Sequence, residues 1–380
     1  MTHIIDRLRA KLPEYQGDIV FFRDYSALVQ NQGALSDKLR LIADCEKAGY
    51  EAASKRDMKR AAEFMDLHRD ALRMAARDDF DSFIQYAEWE REPRRRFYYP
   101  RRKQLLPIVR DLQALADDKL DILSISLPPG TGKSETAIFY ICWLAGKYPD
   151  EPILTGSHSN SFIRGVYDEC LRILDPKGEY LWHDVFPGIG VCNTNAKDCR
   201  IDIGQPKRFE TLEFTSIGTG NAGLYRAGTL LYCDDLVSGI EVALSKERLD
   251  KLWEIYTTDL RQRKKGEQTK ELHIATRWSV HDVIGRLERM YEGNPRARFI
   301  VVPAMNEQDE SNFDYKYGVG FTTKYFRDQR EAMDEVSWLA VFQNQPIERE
   351  GLLFPFLWRK KPDPSRLSSQ SLTWNICNPE

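Results

Sequence analysis

Lys133 and Ser134 stand directly after Gly130-Thr131-Gly132, and the chemistry this combination offers is phosphate binding. An apolar stretch, 121–127, runs through Pro128-Pro129 into that glycine pair, and a helix-forming stretch, 135–144, follows. A phosphate loop needs this strand–loop–helix context. The two glycines let backbone N–H groups turn inward, and the helix N-terminus adds partial positive charge. Lys133 is then placed to reach the β- and γ-phosphates, and the Ser134 hydroxyl to bind Mg²⁺, with Pro129, Gly130, Thr131 and Gly132 forming the cradle. The usual pattern, G-x-x-x-x-G-K-[ST], has a glycine where this chain has Leu127.

A second element carries acids. Leu230-Leu231-Tyr232-Cys233-Asp234-Asp235 reads as an apolar strand ending in two carboxylates. The first acid at such a strand end holds Mg²⁺ through its water shell. The second can orient or deprotonate an attacking water. The competing reading is an acid pair at a helix N-terminus. The order and spacing relative to Lys133 suit an additional-strand type of motor ATPase, so ATP and Mg²⁺ are the expected ligands.

Other elements must position these groups. Short β-rich runs at 122–127, 152–158, 211–217, 229–233, 271–275 and 298–302 alternate with helical stretches. The pattern predicts an α/β domain with a mainly parallel central sheet flanked by helices. Residues 1–78 read as a helical region, with Phe64, Leu67, Ala71 and Met74 on one helical face, and 81–89 as a further amphipathic helix. Residues 79–350 are expected to form the ATPase domain, and 351–380 a linker. Between the helical region and the sheet lies a basic, aromatic run from Arg91 to Lys103, which reads either as a solvated linker or as a strip touching phosphates of DNA or of a nucleotide. A second basic run, Arg261-Gln262-Arg263-Lys264-Lys265, reads as an edge loop that is either solvated or in contact with DNA or a neighbouring subunit.

Bulk composition narrows the classes. The 380 residues are 42% hydrophobic with a formal net charge of −3, so overall charge does not announce a nucleic-acid binder. The longest apolar run, 138–145, is far short of a membrane span. The seven cysteines form no C-x-x-C pair and the histidines no metal-binding spacing, which speaks against zinc and redox motifs.

Taken together, Ser126-Leu127-Pro128-Pro129 with the glycine–lysine loop, Ser157-His158-Ser159-Asn160-Ser161, the 218–228 segment ending Arg226-Ala227-Gly228, and Ala275-Thr276-Arg277-Trp278 with the residues up to Leu287 resemble the motifs of bacteriophage large terminases. Val302-Pro303-Ala304 and Phe342-Gln343-Asn344-Gln345-Pro346 extend the resemblance, which covers about residues 80–356. It implies an ATPase that works as a homo-oligomeric ring on a portal protein. Such a ring packages double-stranded DNA into a procapsid in the host cytoplasm with a small terminase subunit and without a membrane. By position, Lys133 and Ser134 would bind phosphate and metal, Asp234 metal, and Asp235 would take a role usually held by Glu. Thr276 would sense the γ-phosphate, and Gln104 would read adenine. Many terminases carry an arginine inside the phosphate loop, and this chain does not. The resemblance therefore points to Arg226, then Arg277, for transition-state charge. Large terminases usually carry a nuclease domain after the ATPase. From residue 351 onward the only acids are Asp363 and Glu380, so no DNA cleavage is expected, and 372–377 reads as a possible first nuclease strand.

Two other readings stand beside it. A superfamily 2 helicase-like translocase shares the phosphate loop and paired acids but should carry a second RecA-like domain, for which the chain after residue 351 is too short. A non-catalytic, nucleotide-switched assembly scaffold would bind ATP without turnover.

Overall fold

A computed structural model of the chain describes residues 2–15, 17–218 and 225–346. The expected linker and nuclease start, and the centre of the 218–228 motif, lie outside the described residues. The N-terminal part is helical: α1 (Thr2–Ala10), α2 (Ile19–Gln32), α3 (Leu35–Ser54) and α4 (Met58–Ala76). The buried side of α4 runs through Ala61, Phe64, His68, Ala71 and Ala75, while Leu67 and Met74 are only half-buried. The apolar stripe is thus turned slightly from the expected face, because His68 is drawn inside by a bond between its Nδ1 and the Ile42 carbonyl at 3.1 Å.

The expected boundary at residue 78 falls in the turn before α5 (Phe80–Ala87). Asp79 caps α5, its carboxylate accepting from the Ser82 N–H at 2.8 Å. Phe80 then packs on Tyr140 and Trp143, with ring centroids 5.2 and 5.3 Å away. One apolar cluster therefore continues from the N-terminal helices into the sheet domain. Next comes α6 (Tyr98–Ala116), which tolerates Pro100 in its first turn and carries Pro107 inside. The stretch 98–103, read from sequence as part of a basic run, is therefore helical.

Among the described residues the sheet has eight strands: β1 (Ile122–Ser126), β2 (Ile153–Ser157), β3 (Val191–Asn195), β4 (Arg200–Ile203), β5 (Leu212–Ser216), β6 (Leu230–Asp234), β7 (Lys270–Ala275) and β8 (Ala297–Val301). Their order is β3-β4-β5-β2-β6-β7-β1-β8. All neighbours from β5 to β8 pair in parallel, and only β3–β4 and β4–β5 are antiparallel. The central strands β1, β2, β5 and β6 are buried along their whole length, as helices on both faces require.

The crossover helices are α7 (Lys133–Lys147), α8 (Asn160–Leu174) and the short α9 (Trp182–Val185), followed after β6 by α10 (Ile240–Ala243), α11 (Lys246–Ile255), α12 (Val283–Met290), α13 (Thr323–Ala332) and α14 (Glu335–Val341). Helix α7 is buried on every side from Thr136 to Gly146. Its indole Trp143 donates to the Ala76 carbonyl at 3.0 Å, and Trp182 donates to the Cys142 carbonyl at 2.9 Å. A helix apolar all round belongs in the middle of a domain, and this one fixes the loop that precedes it. Among the described residues no helix is long and apolar enough to cross a membrane.

Candidate functional site

Strand β7 lies between β1 and β6, so the ends of three adjacent parallel strands form one ledge. In register, Ser126 of β1 faces Ala275 of β7, and Asp234 of β6 faces Ile274. The loop 127–132 leaves β1 at this ledge, Asp235 follows β6, and Thr276 follows β7. Crevices at the carboxyl ends of parallel strands are where open α/β sheets bind ligands.

The loop is shaped by its glycines. Gly130 and Gly132 have φ of 75° and 103°, which side chains resist. A Cβ on Gly130 would come within 2.9 Å of the Phe321 ring, and one on Gly132 within 2.9 Å of Phe97. The Thr131 hydroxyl donates to the Pro128 carbonyl at 2.8 Å, and the Tyr315 hydroxyl donates to the Thr131 carbonyl at 2.8 Å. Leu127, where the usual pattern has glycine, is buried in the core. Gly132 is the N-cap of α7, and Glu135 in its first turn complements the helix dipole.

Five side chains of the ledge meet. Lys133 Nζ donates to Thr276 Oγ1 at 3.0 Å and lies 3.5 Å from Asp235 Oδ2. The Thr276 N–H donates to Asp235 Oδ1 at 2.9 Å. The Ser134 hydroxyl donates to Asp234 Oδ1 at 3.3 Å. Asp234 is fully buried, and the Tyr232 hydroxyl donates to its other oxygen. Burial, and then the Asp235 charge, push the Asp234 carboxyl up to about 7, against the pull of Tyr232, Lys133 and Ser134. A cation beside it would restore the carboxylate. Asp235 sits in the left-handed region at φ 42°, an uncommon conformation for a residue with a side chain. Its backbone is tied on both sides. Its N–H donates to the Ile274 carbonyl at 2.8 Å, and its carbonyl accepts from His158 Nδ1 at 2.7 Å.

The remaining residues singled out from sequence lie differently. Arg277 is buried, but its guanidinium goes to Asp282 at 3.2 Å and Glu288 at 3.3 Å. Its N–H donates to the Asn344 amide oxygen at 3.0 Å, which ties the end of β7 to the 342–346 segment. Arg226 is exposed. Its backbone N–H donates to Glu213 at 2.8 Å, and its guanidinium lies 5.6 Å from the Phe209 ring centroid. Burial pushes the Glu213 carboxyl up to about 8, against the Arg226 bond. Neither arginine joins the five-residue cluster. Gln104 lies on α6, half-buried, and its buried Oε1 has no hydrogen-bond partner among the described residues.

Sequence reading missed the wall over the loop. Phe97 and Arg101, on the α6 side, and Tyr315 and Phe321, from the segment after β8, press on residues 130–132. The Arg101 guanidinium packs over Phe97 at 4.9 Å and Tyr315 at 5.3 Å, and its Nη1 donates to the Phe97 carbonyl at 2.7 Å. No carboxylate pairs with it among the described residues, and burial lowers its pKa. Spacing offered one signal: 97, 101 and 104 share a helical face.

No family model matches the chain, and no curated protein matches it.

Proposed function

We propose that this chain is a P-loop ATPase of the additional-strand type, and that it drives double-stranded DNA into a procapsid as part of a machine resembling the phage large terminases. The observation that carries the reading is the convergence of Lys133, Ser134, Asp234, Asp235 and Thr276 at the ends of β1, β6 and β7. The insertion of β7 between the phosphate-loop strand and the acid strand supports the additional-strand reading.

Each residue then has a task. The positive-φ glycines and the α7 N-terminus cradle phosphates. Lys133, now resting on Thr276 and Asp235, turns to the β- and γ-phosphates, and Gln104 offers its unpartnered oxygen to adenine. Ser134 and Asp234 would hold Mg²⁺, which supplies charge neutralisation at the phosphates. Asp235, fixed by His158 and the Thr276 N–H, orients the attacking water. Thr276 touches both Lys133 and Asp235, so it is placed to register the γ-phosphate and pass its loss along β7. Arg277, held by Asp282 and Glu288, is a structural ion pair in this reading. Arg226, exposed, is left as the charge reaching into a neighbouring subunit of a ring docked on a portal. A small terminase subunit and the portal are the expected partners.

The test is ATP turnover by the purified chain at high concentration with DNA. Lys133→Ala should lower turnover on the order of a hundredfold or more with an unchanged circular dichroism spectrum. Asp235→Asn should keep nucleotide affinity and lose hydrolysis. Near-normal turnover by Lys133→Ala would overturn the reading.

A further inference from the structure

We infer that the surface where Tyr99 and Tyr317 stack, ringed by Arg94, Arg96 and Lys316, binds the phosphate backbone of double-stranded DNA. The inference extends the proposed translocase and gives it a DNA contact. Tyr99 stands in the first turn of α6, and Tyr317 at the centre of the turn Lys316–Gly318 that follows β8. Their ring centroids are 6.4 Å apart with planes at 25°. Both are exposed, at 37% and 49%.

Three cations converge on these two rings. The Arg94 guanidinium lies 5.9 Å from the Tyr317 centroid, and the Arg96 guanidinium and Lys316 ammonium lie 5.8 and 5.4 Å from that of Tyr99. Among the described residues none of the three forms an ion pair. Glu88 and Glu179, the acids bonded to this stretch, are taken by Arg91 and Arg95. Among the described residues Glu90 and Glu92 are exposed and form no ion pair with any of the three. Glu88 and Glu90 do act on Arg96 through space, and its guanidinium also donates to the Trp89 and Arg91 carbonyls, which leaves Arg94 and Lys316 as the less encumbered cations. Unpaired like charges gathered on one surface raise the local potential and call for an anion.

The backbone adds a second observation. Tyr317 has φ 61°, a genuine outlier for a bulky side chain, and this conformation holds an aromatic ring outward rather than in the core. The ring faces are already covered by cations, so what the patch presents is positive charge more than a free π surface. That favours phosphates over unstacked bases. The patch is also distinct from the nucleotide ledge. On α6, position 99 lies about 200° round the helix from 97 and from 101, the residues that face the loop.

The experiment is fluorescence anisotropy of the full chain with a labelled 20-base-pair duplex and with the matching single strand, across a salt series. A fluorescent ATP analogue is titrated in parallel. Arg94→Ala with Lys316→Ala should weaken duplex binding about tenfold and reduce the slope of log affinity against log salt by about 1.8, for two lost phosphate contacts. Tyr317→Ala should weaken it several-fold by releasing Arg94, and Tyr317→Phe should keep it. Analogue binding should be unchanged in all three variants. Duplex affinity unmoved by the double substitution, or no duplex binding by the wild type at low salt, would overturn the inference. So would a loss confined to the single strand in Tyr317→Ala. Failure of the wild type to bind the ATP analogue would instead overturn the proposed function.

Discussion

Two basic runs, 91–103 and 261–265, look alike as sequence and end differently: the second is paired throughout, the first only in part. In the second, every cation has a partner. Arg261 and Lys264 both reach the buried Glu271, at 3.1 and 2.8 Å, Arg263 pairs with Asp259, and Lys265 pairs with Glu151 at 2.7 Å. Tyr256 completes the Glu271 site at 2.6 Å. In the first run, Arg91 and Arg102 turn inward to Glu88 and Asp81 and Arg95 reaches Glu179, while among the described residues Arg94, Arg96 and Arg101 find rings and carbonyls but no carboxylate. A cation's availability is decided by the acids other elements bring, and a run of charge does not record them. The edge loop is therefore a fastening between the end of α11 and β7, and the run near α6 is the one with charge to spare.

The largest expected effect attacks that fastening. Glu271→Gln should destabilise the fold by about 2–4 kcal/mol, because two partly buried cations lose their counter-charge. Chemical denaturation measures it, and a loss under about 0.5 kcal/mol would mean the loop is not held this way. The same carboxylate makes a pH prediction. Burial opposes its charge, but His273, Lys264 and Arg261 outweigh that and hold its pKa below the ordinary value. A depressed carboxylate stabilises above its unfolded pKa and loses that contribution as pH falls. Wild type should therefore lose stability below about pH 4.5 more steeply than Glu271→Gln does.

A smaller effect divides the first run internally. Arg102 holds Asp81 through two bonds, at 3.0 and 2.7 Å, beside the Tyr98 hydroxyl at 2.7 Å. Arg102→Ala should cost about 1–2 kcal/mol in the same assay, whereas Arg94→Ala should fall within about 0.5 kcal/mol of wild type. Equal losses at the two positions would erase the distinction between inward and outward cations. The smallest is Lys265→Ala, whose exposed pair with Glu151 should contribute at most about 1 kcal/mol.

How much was legible follows from where partners come from. Strands β1, β2 and β5 to β7 were readable because buried parallel strands are apolar runs bounded by breaks, and β8, half-exposed at the sheet edge, was readable from its Phe299-Ile300-Val301 run. Strands β3 and β4 were not. Val191–Asn195 is mostly exposed and polar, and it is a strand only because β4 lies beside it. The glycine–lysine loop at 130–134 and the paired acids Asp234-Asp235 announce themselves because each is contiguous in sequence. Their contact through Thr276 depends on β7 entering between β1 and β6, which no local pattern encodes. Arg277 is held by acids that are near in sequence, Asp282 five residues on and Glu288 eleven, but an acid's spacing alone does not say which cation it will take. The aromatic wall at Phe97, Tyr315 and Phe321 comes from segments more than two hundred residues apart.

The shared register of β1, β7 and β6 has a consequence for which changes the chain can absorb. Their chemical groups come together because the three strands are counted from a shared baseline, Ile122 opposite Glu271 and Leu231 opposite Glu271 on the other side, with Ser126 level with Ala275 and Asp234 one residue short of it, opposite Ile274. The middle strand is the ruler against which the outer two are cut. Adding one residue within 270–275 would swing Thr276 to the opposite face of the sheet, away from Lys133 and Asp235. Such an insertion, chemically blank, should harm the site more than most substitutions of the residues that line it.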